Sequence, residues 1–220
     1  MFIIGAMLAL IVSAPLLAQT ALPLPLKGAR TVVLNDAVGQ NLCQFVSSAP
    51  LEEFEGTADG IEGSFVLDPQ NLEATRGRIR VAVASMRTGI ARRDEHLRSP
   101  EWLDAERYPY IEFDLQGLRQ VRITERTAGR VVLQAVAVGD FSLHGVRKPM
   151  ELPIVMTYVP ESEQTRQRAP GDLVQVQSEF TISLRDFDIR GRQGIIGSRV
   201  GEVIRVKASF YGATTMSNKP

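Results

Sequence analysis

Asp94, Glu95 and His96 stand side by side in RTGIARRDEHLRSPEWLDAERYPYIEFDL (87–115), with Arg92 and Arg93 before them and Arg98 after. Acids next to a histidine suit a metal site or acid–base chemistry, so spacing decides. On a helix, neighbouring side chains point about 100° apart and do not share a face. Zinc wants convergent His or Cys ligands. The chain has two histidines, His96 and His144, and one cysteine, Cys43, in no such spacing. No metal is expected. Nucleophilic catalysis fares no better, because no G-x-S-x-G turn is present. GRQGIIG (191–197) lacks the Lys-Ser/Thr of a phosphate loop and reads as a hairpin connection. An enzyme built on His96 or His144 is the reading that replacing both histidines by Ala would test. Two uses of the charged run stay open. In one it is a solvated helical surface with Asp94 meeting Arg98 at i,i+4. In the other, Arg93 and His96 form the rim of a site and meet a polar head group. Cys43 sits in the apolar run Leu42 to Val46 and reads as a buried small residue.

The elements that must position these residues are mostly strands. RIRVAVAS (78–85) and YIEFDL (110–115) alternate apolar and polar residues, and VQVQSEFTISL (174–184) does so most cleanly, with Ser178 as the exception on its apolar face. Period two marks strands with one buried face. Further strands are expected at 31–35, 43–48, 61–67, 119–125, 130–139, 150–159 and 202–211. Between them lie turn residues at Gly56, Gly60, Asp68-Pro69, Gly117, Gly129, Gly139-Asp140, Gly145, Pro160 and Gly201. Many antiparallel strands with polar outer faces imply a sandwich or a closed barrel, and closure removes exposed edges. The charged run breaks the alternation. Residues 90–98 predict one or two helical turns, and Ser99-Pro100-Glu101 reads as a second helix start. Trp102 and Leu103 are expected to bury against the barrel, and Pro109 to end the crossover. Residues 161–172 read as a polar hairpin loop.

Composition agrees with one globular domain. The chain has 220 residues, a formal net charge of zero and 44% hydrophobic residues. The balance gives no reason to expect nucleic acid, whose binders carry a basic excess or patch. Phe2 to Leu17 is apolar and no charge precedes Lys27. This predicts a secretory signal over residues 1–21 or, if uncleaved, an anchor. A short linker over 22–30, a domain over 31–212 and a tail over 213–220 would follow. A lone cysteine forms no intrachain disulfide, so an exported chain of this kind is held by its core.

Three stretches resemble the signatures of the YceI-like family. VASMRTGIARRDEHLRSPEWLDAERYPYIEFDL (83–115) resembles its central signature, GDFSLHGVRKPMELPI (139–154) its second and FTISLRDFDI (180–189) its third. Asp188 stands where the family often has Gly, and the amino-terminal motif of Asp and His-Ser is not evident in TVVLNDAVGQNLCQFVSS (31–48). The resemblance spans roughly residues 31–212. It implies an all-β fold, an eight-stranded antiparallel barrel of lipocalin type, with a short helical crossover. It also implies an exported, periplasmic or secreted protein enclosing a long apolar ligand such as a polyisoprenoid. Such a barrel is either filled by side chains or holds one small ligand. The expected ligand-lining residues are Phe45, Phe65, Trp102, Phe113, Phe141, Phe180 and Ile182. The expected head-group rim is Arg93, His96 and His144, with His144 mainly a turn residue. Small inward candidates are Ala82 or Ala84, Ala135, Ala137 and Ala208. No catalytic residue or cofactor is expected beyond a bound isoprenoid lipid or quinone-like ligand. The competing reading is an envelope interaction protein with a filled barrel, paired with itself or with a membrane respiratory partner.

Overall fold

A computed structural model describes residues 21–24 and 28–215, so the expected signal segment lies almost entirely outside the described residues. Ten strands form one antiparallel sheet: β1 (Arg30–Leu34), β2 (Leu42–Ser48), β3 (Glu53–Ala58), β4 (Ile61–Leu67), β5 (Arg76–Ala82), β6 (Tyr110–Arg126), β7 (Val131–Leu143), β8 (Val146–Val159), β9 (Leu173–Ser183) and β10 (Val203–Thr215). The order is β1-β4-β5-β6-β7-β8-β9-β10, and pairing of β1 with β10 closes the ring.

The ten segments make eight staves. β1 and β2 both run antiparallel to β10, β1 along Gly212–Thr215 and β2 along Ile204–Ser209. They are two pieces of one stave, interrupted at 35–41. On their other side, β2 pairs β3 and β1 pairs β4, so β3 and β4 form a second stave, bent at Asp59-Gly60. The barrel expected from the sequence is therefore present, with its first two staves broken.

Several local expectations are corrected. Gly117 and Gly139-Asp140 are not turns. β6 runs through Gly117 and absorbs it in register shifts against β7, while Gly139 pairs Leu115 inside the ladder. Gly56 lies within β3, a strand the alternation did not reveal. The β7–β8 turn is two residues, His144 (φ 52) and Gly145 (φ 76), and positive φ at both matches the hairpin twist. The crossover holds one helix, α1 (Ala91–Arg98). Ser99 does not start a second helix; it ends the first, and its hydroxyl donates to the His96 carbonyl at 2.7 Å. The polar loop after β8 contains a single helical turn, α2 (Glu163–Arg166), capped reciprocally by Ser162 and Thr165.

One ladder is incomplete. β8 and β9 pair from Val159↔Leu173 to Ile154↔Ser178, and there the pairing stops. The Pro153 carbonyl faces β9, because the Ser178 hydroxyl donates to it at 2.8 Å. In a strand the N–H lies on the same side as its own carbonyl, so the donor that Pro153 lacks is one β9 would have used. Pro149, four residues earlier, points the same way. Two missing donors leave Val146–Pro153 paired with β7 alone.

The interior has two halves. Beyond the β6–β7 hairpin end, Val32, Leu67, Leu72, Val131, Leu133 and Tyr158 are fully buried and fill the barrel. Leu22, from the expected linker, joins them at 5% exposure, and its N–H donates to the Pro69 carbonyl. β10 continues to Thr215, past the expected domain end. The other half is hollow.

Candidate functional site

A cavity of about 540 Å³ occupies the half of the barrel nearest α1. Its width has a cause in the register. Ala135, Ile154, Ser178, Ala208, Cys43 and Ala58 are successive cross-strand partners around the barrel. Five of these six inward side chains are small, and all but Ala135 lie on the cavity wall, so that belt of the interior is not filled. Above it Phe113 pairs Phe141, and the Phe141 ring meets Phe180 and Phe187 edge-on, with centroids 6.0 and 5.6 Å apart. On the outer side of the same belt is a groove of about 800 Å³, lined by Gln44, Gln134, Gln177, Glu179 and Lys207. It is larger, but a greater share of its wall is polar and it lies more open than the inner cavity, so it is the poorer host for an apolar chain.

Glycines make room for the aromatic walls. Phe45 is paired directly with Gly56, and a Cβ on Gly56 would fall 2.2 Å from the tip of the Phe45 ring. The ring therefore lies across the neighbouring stave.

Phe45, Phe65, Trp102, Phe113, Phe141, Phe180 and Ile182 all line the cavity, as do Arg93 and His96. His144 does not. In the β7–β8 turn its Nδ1–H donates to the Phe187 carbonyl at 3.1 Å, and its ring stands edge-on to Tyr108 at 5.2 Å. The bond ties that turn to the segment after β9. Of the small inward candidates, Ala137 and Ala208 reach the cavity wall. Sequence reasoning missed Leu118, Leu152 and Met156 as lining residues, though the alternation of 150–159 contained the last two. It also missed Phe54, which belongs to the unforeseen β3, and Ile195 and Val200 in the glycine-rich loop.

The mouth is polar. The Arg93 guanidinium donates to Glu52 at 2.6 Å and lies 4.3 Å above the Phe54 ring, so it is neutralised and stacked together. Arg92, His96 and Arg199 complete the rim. Asp94 does not pair with Arg98. It is 9% exposed, and its Oδ1 accepts from the Thr88 N–H at 2.6 Å and the Thr88 hydroxyl at 2.7 Å. Arg98 donates instead to the Ala84 carbonyl. The charged run is thus neither of the two simple pictures: Asp94 fastens the crossover loop, while Arg93 and His96 edge the hollow.

Cys43 lines the cavity, and burial pushes its thiol up to about 12, which leaves little thiolate at neutral pH. Among the described residues no group of His, Cys, Asp and Glu is placed to hold a metal, and no helix is long and apolar enough to cross a membrane. What the arrangement can do is physical: take in an elongated apolar molecule, exclude water from it and leave a polar end at the rim.

Comparison with known proteins gives the same architecture. The family model described as YceI-like domain matches residues 38–211. Protein YceI of Escherichia coli O157:H7 is 27% identical over 152 residues, covering 69% of this chain and 72% of that protein. A UPF0312 protein of Photorhabdus laumondii is 33% identical over 97 residues, 44% of this chain and 45% of its own length. Among solved structures, Burkholderia cenocepacia BcnA superposes with a TM-score of 0.62 at 14% identity, over 81% of this chain and 98% of that one. A polyisoprenoid binding domain from Saccharophagus degradans superposes with a TM-score of 0.58 at 14% identity, over 84% and 98%.

Proposed function

This chain belongs to the family of YceI-like domains, and on that premise we propose that it binds a long apolar isoprenoid-type lipid inside the barrel and carries or stores it without a catalytic step. The observation that carries this reading is the hollow itself: an apolar-walled cavity with a polar rim. The polyisoprenoid binding domain from Saccharophagus degradans, which shares the fold, supports the ligand class. The apolar segment Phe2–Leu17 supports an exported setting, periplasmic or secreted. A filled barrel acting only as an interaction protein would not need the belt of small side chains.

The physics suits a carrier. Burial of apolar area yields roughly 25 cal/mol per Å², about 0.8 kcal/mol per methylene, relative to water. A bilayer offers the same chain an equally apolar home. Transfer between membrane and barrel is therefore nearly balanced, while escape into water is not. The rim fixes which end of the ligand faces out. Arg93 is neutralised by Glu52, but Arg92 and Arg199 form no ion pair among the described residues, so with His96 the rim suits a polar or anionic head group.

Native mass spectrometry of the protein from its own host, followed by organic extraction, tests the reading. A stoichiometric isoprenoid is the expected result. Phe113→Asp places a charge in the wall and is expected to abolish retention. A folded Phe113→Asp protein with unchanged lipid content would remove Phe113 from the site. Wild type that arrives empty and refuses added isoprenoids would overturn the function.

A further inference from the structure

We propose that the floor of the hollow measures the bound chain, with Met156 as the residue that sets its length. The inference rests on the lipid-binding reading and adds a selectivity to it.

The cavity wall stops at one height on several staves. Along β8, Leu152, Ile154 and Met156 face the hollow, and the next inward residue, Tyr158, does not. Along β9, Phe180, Ser178 and Val176 face it, and Val174 does not. Along β6 the wall ends higher, at Leu118, which pairs Ala137 and through it stands level with Leu152, two inward positions above Met156. Registers place the stops on β8, β9 and β10 together: Met156 pairs Val176, which pairs Phe210, while Tyr158 pairs Val174 one level below. Met156 is on the cavity wall and Tyr158 is not, so on these three staves the level of Met156 is where lumen gives way to packed core.

A length gauge needs a floor that does not yield. Tyr158 supplies it. Its hydroxyl donates to Asp172, whose carboxylate also accepts from Arg30 at 2.8 Å and from the Glu161 N–H at 2.9 Å. Successive inward positions on a stave are roughly 6.6 Å apart, so a floor one level deeper admits at least one more five-carbon unit. From Phe210 to Ile204 the wall runs about 20 Å along β10. A chain whose head is held at the rim therefore meets Met156 after a fixed number of units. One unit too many has to displace a bonded tyrosine. One too few leaves apolar wall without contact.

The test offers the protein an equimolar series of polyprenols of graded length in detergent, then extracts and sizes what is retained. Wild type is expected to retain one preferred length. Met156→Ala is expected to move the preferred length up by one unit and Met156→Phe down by at least one. Val66→Ala, exposed on the outer face of β4, is expected to leave it unchanged. If Met156→Ala does not fold, Met156→Phe still carries the downward shift, with circular dichroism confirming its fold. A single distribution shared by folded wild type and variants, or a wild type that retains all lengths equally, would overturn the gauge and leave the carrier standing. A wild type that retains nothing would overturn both.

Discussion

Asp94 shows how much a single carboxylate can do without touching a ligand. Its two bonds from Thr88 fasten the loop that leads into α1, next to the rim formed by Arg93 and His96. Asp94→Ala leaves a backbone N–H and a hydroxyl without an acceptor, a loss of about 1–3 kcal/mol. For a chain of this size that lowers Tm by about 2–12 °C. Arg98→Ala, at the partner that i,i+4 spacing suggests, is expected to change Tm by less than about 2 °C. Equal losses in thermal melts of the two variants would return Asp94 to a surface pair. Cys43 makes a second residue-scale prediction. Its thiol ionises at about 12 in the folded protein, against 9.0 ordinarily. The folded state holds the proton longer, so this contribution is intact below pH 9 and is lost as pH rises from 9 to about 12. Tyr158, also held protonated by burial and Asp172, acts in the same direction in any variant that retains it. Urea midpoints across this alkaline window should fall less steeply for Cys43→Ala than for wild type. Identical slopes would mean that the thiol is not shielded.

At the scale of elements, the broken staves decided what could be read in advance. β5, β9 and β10 alternate over whole strands and were legible. So were α1 and β7 as far as Gly139, together with six of the eight aromatics that line the hollow; the end of β7 that carries Phe141 lay beyond an expected turn. β3 was not, because Gly56 resembles a turn in sequence and becomes a strand residue only once Phe45 needs its space. Nor was the continuity of β6 through Gly117, since a bulge and a turn share the same residues. The role of Asp94 was hidden for a different reason: its partner Thr88 lies six residues away, outside helical spacing. Gly56→Ala tests the pairing. A Cβ there drives the Phe45 ring into the hollow, with a loss of about 1–3 kcal/mol and a smaller lumen. Chemical denaturation and lipid uptake should both fall. Unchanged uptake would mean that the ring turns aside without cost.

The whole molecule is a barrel divided between a plug and a lumen, with no disulfide to hold it and so only its core to rely on. The plug is locked at Tyr158, Asp172 and Arg30. Tyr158→Phe removes a donor from a buried carboxylate, at about 1.5–3 kcal/mol. That predicts a Tm about 3–12 °C lower by calorimetry; no change would leave the lock to Arg30. The unzipped seam between β8 and β9 has a consequence for life at high concentration. A barrel with an open seam offers an edge strand, and edge strands recruit copies of themselves into aggregates. Here the edge from Val146 to Pro153 carries two prolines and, between them, the exposed Glu151, with exposed Arg147 just before. A neighbouring chain finds too few donors to bind and charges in its path. The residues that keep the wall from closing thus also keep it from being borrowed.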